Sequence, residues 1–522
     1  MIILENISKA FGYRGLLKNI NYTCPVKARI ALIGNNGEGK TTLLNIICGF
    51  DTEFDGKVIK PKTLRLGYLP QIANPYPKTT ILKEALDGAD ELNEIISERD
   101  QLLEEMTKDY SQDKFDRYEI LEQKFQHLEG YKIEEDVKKL LKGFGFDEEQ
   151  FEEPVDMLSG GWRMRLEFVK MLINRPNFLV LDEPTNHLDL PSIEWFESYL
   201  KDFDGTVLFV SHDKDLLNRL ATHILHLKQG KLTSYVGNFD AFLDAFTLKQ
   251  SQNAKFEKHL QDQYTHIEKF VDRFRYKPSK ARQVQSRLKM LTKLKALETD
   301  IEFDNLSETM NLRLDNPTPS GKFVVKADKL EIGYDYALIK PLSFNIVKGN
   351  RVAILGANGL GKSTLLKTLL GRQKPLGGSI ESGHNVIPGY FAQEHLEGLQ
   401  EGLTIIENLN DAAPNMKELE IRSLLASLGI SGDDIFKPVR VLSGGEKSRV
   451  ALASILAQKP NTLFLDEPTN HLDLSACENL ANALCEFTGT VIFVSHNRSF
   501  IHTVATHQLY LKKYQKVHLE EV

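Results

Sequence analysis

One ordered set of motif residues runs through this chain twice, and its spacing limits what the chain can fold into. Lys40, Gln71, Ser159, Asp182, Glu183 and His212 are followed by Lys362, Gln393, Ser443, Asp466, Glu467 and His496. From the lysine to the glutamine the second copy lies 322 positions after the first; from the serine to the histidine it lies 284 positions after. Two constant offsets on either side of one break mean that the first copy carries 38 extra residues between Gln71 and Ser159. A period this long excludes a solenoid and predicts two similar α/β domains. What sets the chain apart must then lie in the insertion and in the segment between the copies.

Each half is long enough to bury a core of its own. No run of 18 apolar residues is present, so no membrane-spanning helix is expected. Met1-Ile2-Ile3-Leu4-Glu5 has neither a basic leader nor a cleavage site, which predicts a protein that stays in the cytoplasm. Cys24, Cys48, Cys477 and Cys485 show no CxxC spacing and read as thiols of a reducing compartment. The net charge of −7 argues against wholesale coating by nucleic acid, but it hides a local asymmetry.

Arg29-Ile30-Ala31-Leu32-Ile33 is a strand-like run that leads into Gly34-Asn35-Asn36-Gly37-Glu38-Gly39-Lys40-Thr41, and a helical run begins at Thr42. This is the strand, loop and helix that a phosphate-binding loop needs. Glycines let backbone N–H groups converge on phosphates, and the helix N-terminus adds partial positive charge. Lys40 is expected on the β- and γ-phosphates of ATP and Thr41 on Mg²⁺. The second copy reads Gly356-Ala357-Asn358-Gly359-Leu360-Gly361-Lys362-Ser363-Thr364, after Val352-Ala353-Ile354-Leu355. A glycine-rich turn by chance does not recur in a matched context.

Phe178-Leu179-Val180-Leu181 and Thr462-Leu463-Phe464-Leu465 are buried-strand runs that each end in Asp-Glu. Asp182 and Asp466 are the expected Mg²⁺ ligands, with Gln71 and Gln393. Glu183 and Glu467 stand where a carboxylate can polarise an attacking water, next to the catalytic candidates His212 and His496. Such a pair could merely cap the next helix, but Glu-Pro-Thr-Asn-His-Leu-Asp-Leu recurs intact in both copies. Leu158-Ser159-Gly160-Gly161 and Leu442-Ser443-Gly444-Gly445 precede helical segments and make a second anion site. That site cannot face its own phosphate loop if it is to close over the same γ-phosphate. Phe11 and Tyr334 are candidates for stacking on adenine; a place in the core suits them nearly as well.

Between the copies, Asp240 to about Asn305 is rich in Lys, Gln, Leu and Glu, with apolar residues at helical spacing. Two amphipathic helices joined by a short turn at Lys277-Pro278-Ser279 fit it. From Lys269 to Lys295 there are ten Lys or Arg against one acid, Asp272. A solvated helical face would carry mixed signs. This one-signed run, with Phe270, Phe274 and Tyr276 beside it, is an electrostatic footprint for a phosphate backbone. Arg273, Arg275, Lys277, Lys280, Arg282 and Arg287 are its RNA-binding candidates. The insertion, by contrast, is acidic from Glu84 to Asp136 and has helical periodicity, which predicts a helical hairpin that projects from the first domain.

The combination of phosphate loop, glutamine, LSGG, DEPT and histidine resembles the ATP-binding cassette ATPases. That resemblance implies two cassettes packed head to tail, with Lys40, Asp182, Glu183 and His212 facing Ser443, Gly444 and Gly445. Lys362, Asp466, Glu467 and His496 would face Ser159, Gly160 and Gly161. The stretch from Phe270 to Arg287 and the first signature, Leu158-Ser159-Gly160-Gly161-Trp162-Arg163-Met164-Arg165, resemble the ABC-F family. Its members are tandem-cassette ATPases of translation that bind the ribosome near the tRNA exit site. The resemblance implies a first cassette at residues 1–240 with an arm at about 84–135, a linker at 241–318 and a second cassette at 319–522. It implies contact with rRNA and P-site tRNA through the linker, and with a basic ribosomal protein through the arm. It also implies a monomer with an intramolecular cassette pair and no membrane partner. The short linker turn favours a housekeeping factor over an antibiotic-protection ATPase; a transporter's ATPase subunit is the less favoured alternative, since transporter subunits lack a basic inter-domain hairpin and no membrane domain is fused here. About 26 residues follow His496, too few for the C-terminal coiled coil of some members.

Overall fold

The computed structural model describes residues 1–12, 14–69, 79–108, 111–127, 130–158, 160–185, 188–274, 283, 285–286, 289–290, 318–392, 399–430, 432–470, 472–512 and 518–522. In the first half, β1 (Ile3–Phe11) pairs antiparallel with β2 (Arg14–Thr23) and β4 (Asp55–Ile59). Behind this small sheet lies a six-stranded one. It runs β5 (Leu66–Leu69), β6 (Phe178–Asp182), β7 (Thr206–Val210), β3 (Arg29–Ile33), β8 (His223–Lys228) and β9 (Lys231–Val236). All neighbours are parallel except β8 and β9. β3, β6 and β7 are buried along their whole length, which is why they read as continuous apolar runs rather than alternating ones.

Alternate strand residues serve two cores. Ile30, Leu32, Val180 and Leu208 pack on the small sheet and on Leu43, Leu44 and Ile47 of α1 (Lys40–Cys48). Ala31, Leu179, Leu181 and Phe209 face a helical layer, to which α2 (Ile81–Asp87) contributes Ala85.

The insertion forms two helices, α3 (Asp90–Lys108) and α4 (Gln112–His127), with a small core of their own: Ala89, Leu92, Ile95, Leu102, Leu121 and Phe125. Arg99 pairs with Glu122 at 3.5 Å, and Arg117 Nε with Glu98 at 2.7 Å, across the hairpin. The chain then re-enters the helical layer through α5 (Ile133–Gly143), α6 (Gly160–Ile173), α7 (Leu190–Asp202) and α8 (Lys214–Leu220). Arg29, at the head of β3, donates to the carbonyls of Leu200 and Lys201 at 2.7 and 3.1 Å. It thereby satisfies the last turn of α7, whose carbonyls have no partner within the helix.

α9 (Phe239–Phe274) leaves this half with Phe239, Phe242 and Phe246 buried in its core. The first linker helix is therefore rooted in the cassette rather than loosely tethered to it. The turn expected at Lys277-Pro278-Ser279 lies outside the described residues, as do Arg275, Lys280, Arg282 and Arg287. Arg273 falls on the last turn of α9.

The second half repeats the plan. β10 (Phe323–Glu331) lies between β11 (Leu342–Val347) and β13 (Gly377–Ser382). The larger sheet runs β14 (Pro388–Phe391), β15 (Thr462–Asp466), β16 (Thr490–Val494), β12 (Arg351–Gly356), β17 (His507–Leu511) and β18 (Leu519–Glu521). Its helices are α10 (Lys362–Leu369), α11 (Ile405–Ala412), α12 (Glu418–Ser427), α13 (Gly444–Ala457), α14 (Leu474–Glu486) and α15 (Arg498–Val504). Among the described residues, the α-helices between β14 and α13 are α11 and α12, where the first half has α2, α3, α4 and α5. The extra pair is the arm, and the expected α/β architecture with an inserted helical hairpin is the one observed.

Because α3 and α4 have their own core, removing residues 92–128 and rejoining the ends with a short glycine linker should leave both cassettes folded. Titration with a fluorescent ATP analogue should return the parent affinity; loss of binding would make the hairpin part of the cassette core.

Candidate functional site

In each half the phosphate loop follows a central strand and turns into a helix. Gly39 and Gly361 sit at the helix start with φ of 99° and 84°. This is the left-handed region, and a Cβ there would come within 2.9 Å of Leu16 or 2.7 Å of Leu338. Lys40 Nζ donates to the carbonyls of Gly34 and Asn35 at 2.8 and 3.1 Å. Lys362 Nζ donates likewise to Gly356 and Ala357 at 2.9 and 3.2 Å, and to Asn358 Oδ1 at 3.0 Å. Burial lowers the pKa of both ammonium groups, while nearby carboxylates, first Glu183 and Glu467, work the other way. The Glu38 carboxylate accepts the Gln229 N–H at 2.6 Å.

Thr41 Oγ1 donates to Asp182 Oδ2 at 2.7 Å, and Ser363 Oγ to Asp466 Oδ1 at 3.1 Å. One hydroxyl and one carboxylate at a loop that gathers phosphates suit a hard octahedral cation that keeps several waters. A dedicated cage is not needed, and among the described residues no cluster of three His, Cys, Asp or Glu forms one.

Glu183 and Glu467 have φ of 49° and 51°, a left-handed backbone that ordinary residues avoid. Each is held there by its N–H, which donates to Val210 or Val494 in the neighbouring strand at 3.1 and 3.0 Å. The kink turns the carboxylate off the strand end toward the histidine after the next strand. Nε2 of His212 lies 3.3 Å from Glu183 Oε1, and Nε2 of His496 lies 3.3 Å from Glu467 Oε1. Burial, and then the adjacent Asp466, push the Glu467 carboxyl well above its ordinary value. The same cause raises Asp182, against the hydrogen bond from Thr41.

Two aspartates outside the expected set join the halves. Asp189 Oδ2 accepts the backbone N–H of Asn358, in the phosphate loop of the second half, at 2.9 Å. Asp473 Oδ2 accepts that of Asn36, in the loop of the first half, at 3.5 Å. Each aspartate also caps the helix that follows it, through the N–H of Ser192 or Ala476. Burial works against the Asp189 charge. Hydrogen bonds from Ser192 and Asn358 and the charge of Arg165 more than offset it, and the carboxyl is lowered. Both residues sit inside the repeated Asn-His-Leu-Asp-Leu, so the signal was present; nothing in one chain's pattern says that a carboxylate reaches the other domain.

The signatures differ. Ser443 caps α13 and forms a reciprocal box with Glu446, Ser443 N–H to Glu446 Oε2 at 2.8 Å. In the first copy Trp162 holds the matching position and lies under the Arg165 guanidinium, 4.2 Å from the ring centre. Gly160 and Gly161 open α6, as Gly444 and Gly445 open α13. Ser159, Gln71 and Gln393 lie outside the described residues. Of the adenine candidates, Tyr334 is exposed beyond β10, and Phe11 closes β1 opposite Arg14. The Gly-Tyr pair shared by Gly12-Tyr13 and Gly333-Tyr334 aligns Tyr334 with Tyr13, which is outside the described residues, rather than with Phe11.

Comparison with known proteins agrees with this arrangement. A family described as ABC transporter matches residues 17–186 and 339–470, and a second of the same description matches 225–310. The chain is 39% identical over 536 residues to the putative ATP-binding protein YdiF of Bacillus subtilis, spanning all of this chain and 81% of that one. It is 37% identical over 512 residues to human ATP-binding cassette sub-family F member 3, spanning 96% of this chain and 70% of the relative. Among solved structures, the archaeal ribosome recycling factor aABCE1, in complex with the ribosomal stalk protein aP1, superposes with a TM-score of 0.60. The identity is 18%, over 99% of this chain and 90% of that one, and shows the shared fold.

The raised Glu467 carboxyl has a consequence for stability. The folded chain keeps a proton there that the unfolded chain releases above the ordinary glutamate value. The resulting stabilisation is full below that value and is lost as pH rises toward the folded one. E467Q removes this titration, so its advantage in Tm over the parent, without nucleotide, should widen between about pH 5 and about pH 7.5. A constant difference across that window would show that the carboxyl is not displaced.

Proposed function

This chain belongs to the ABC-F family of tandem-cassette ATPases, and on that premise we propose that it is a translation factor which ATP switches on the ribosome. It hydrolyses ATP. The reading of what that hydrolysis moves rests on one observation: each cassette places a carboxylate on the phosphate loop of the other, Asp189 on Asn358 and Asp473 on Asn36. A loop that must hold nucleotide is thereby coupled to the relative position of the halves.

In this reading Lys40 and Lys362 turn from the loop carbonyls to the β- and γ-phosphates of ATP. Thr41 with Asp182, and Ser363 with Asp466, hold Mg²⁺, joined by Gln71 and Gln393; bound there, the ion offsets phosphate charge. Glu183 and Glu467 orient the attacking water, and His212 and His496 fix those carboxylates. Ser443, Gly444 and Gly445 close over the first ATP, and Ser159, Gly160 and Gly161 over the second. Tyr334 and Phe11 remain the adenine-stacking candidates. Closing the two sandwiches draws the halves together and carries α9, rooted at Phe242 and Phe246, with them; hydrolysis reverses this.

Three features support the ribosome as partner. The linker carries ten basic residues against one acid between Lys269 and Lys295, as phosphate-backbone contact requires. The arm is acidic and suits a basic protein. A solved structure with the same fold is an archaeal ribosome recycling factor in complex with a ribosomal stalk protein. The linker then reaches rRNA and P-site tRNA through Arg273, Arg275, Lys277, Lys280, Arg282 and Arg287, with the chain at the tRNA exit site in the cytoplasm. Among the described residues no helix is long and apolar enough to cross a membrane.

The double variant E183Q/E467Q should keep ATP binding and lose about 10²–10⁴ in turnover. ATP should then retain it on ribosomes in a salt-sensitive way, and its expression should arrest growth. Turnover equal to the parent's would sink the catalytic assignment. Reversing the charge of Lys277, Lys280, Arg282 and Arg287 together should abolish co-sedimentation with ribosomes while nucleotide affinity stays the same. If pelleting at low and moderate salt did not change, the linker would be a spacer rather than an RNA contact.

A further inference from the structure

The offset of 284 that relates the two motif sets also relates the residues between the cassettes, so the two ATP sites can be compared position by position. Two residues past each histidine stands a cation, Lys214 or Arg498; five past each bridging aspartate stands a glutamate, Glu194 or Glu478. These pair reciprocally across the interface, Arg498 with Glu194 at 3.1 Å and Lys214 with Glu478.

From there the symmetry fails. Arg498 also meets Glu197 at 3.3 Å, and Glu197 meets Arg219 at 3.4 Å. The side chains of Arg498 and Glu197 are 10% and 8% exposed. The positions matching Glu197 and Arg219 hold Ala481 and Thr503. In place of the buried Arg498–Glu197 pair there is a cavity of about 260 Å³ lined by Lys214, Cys477, Glu478, Ala481 and Thr503. The pair that remains, Lys214 with Glu478, is 32% and 50% exposed and open to solvent screening.

Other differences run the same way. Asp189 reaches its loop amide at 2.9 Å and is backed by Arg165 at 2.8 Å; Asp473 reaches its own at 3.5 Å. The matching arginine, Arg449, donates to the Gly429 carbonyl at 3.1 Å.

We infer that the two ATP sites are unequal latches. The Lys362 site is held by the buried Arg498–Glu197 pair, which Arg219 backs from the surface, and releases nucleotide last, and the Lys40 site opens first. Glu197 and Arg498 are positioning residues: they touch no nucleotide and act by fixing α15, which follows His496, against α7, which follows Asp189. Removing one partner of a buried charge pair speeds dissociation, whereas a screened rim pair changes it little. The inference rests on the reading that both sites close over ATP.

The test uses the full chain with hydrolysis blocked, E183Q/E467Q, loaded with mant-ATP and chased with unlabelled ATP. Release should show two phases. Lys362→Ala should remove the slow one, and Lys40→Ala the fast one. Added E197Q should accelerate the slow phase about tenfold or more, while E478Q should shift it less than about twofold. R498K, which installs the residue already present at position 214, should act like E197Q and serves if that variant does not fold. A single phase, a slow phase lost with Lys40→Ala, or a slow phase that answers to E478Q and not to E197Q or R498K overturns the inference. No hydrolysis or ribosome enters this measurement, so failure to retain ribosomes would strike the proposed function and leave the latch standing.

Discussion

The contact on which the joining of the two halves depends is a carboxylate of one cassette that accepts a backbone N–H in the phosphate loop of the other. The donor belongs to the loop that must cradle phosphate, and the acceptor begins a helix packed in the opposite domain. A shift of either cassette therefore moves a group at both nucleotide sites. The contact is affordable in a buried place only because each carboxylate has further partners. Asp189 has the N–H of Ser192 and the guanidinium of Arg165; Asp473 has the N–H of Ala476 and the hydroxyl of Ser475. An unpaired charge there would be costly.

The carboxylates proposed to be catalytic show how the side chain after a strand end can be redirected. β6 and β15 are buried on both faces, and straight continuation would carry the next side chain along the strand. A left-handed residue at Glu183 and Glu467 redirects it toward His212 and His496. Such a conformation costs about 1–3 kcal/mol and persists only where the surroundings fix it. The bond from each N–H to the adjacent strand does so in both copies. That the same strain occurs twice, at matching positions, ties it to function rather than to a local accident of packing.

The copies diverge where each meets something unlike itself. Trp162 stands where the second copy has the glutamate that closes its capping box, and it lies under the guanidinium of Arg165 instead. The arm exists only in the first half and carries its own apolar seam, so it adds a surface without altering the sheet. α9 is anchored by three phenylalanines in the first core, and movement of that cassette is thus transmitted to the linker.

Much of this was legible in the chain of residues. The two offsets located the duplication, the insertion and the two sets of strand ends, because a buried parallel strand followed by a glycine loop leaves a strong local signal. The apolar runs at Ile30, Val180, Ile354 and Phe464 became strands, since a sheet covered on both faces demands continuous apolar residues. Asp189 and Asp473 were visible in the repeat, but their reach into the other cassette was not. A helix cap and a bridge between domains need the same residue type, and only the packing of the two halves separates them. The Arg498–Glu197–Arg219 triad was less legible still, because its members lie on three helices and no spacing links them. Periodicity and loop chemistry are properties of neighbours along the chain, so the sequence by itself determined the cassettes and their phosphate loops. The reach of Asp189 and Asp473 into the opposite half, and the different ion pairs beside them, are properties of neighbours in space and were decided by the tertiary structure alone.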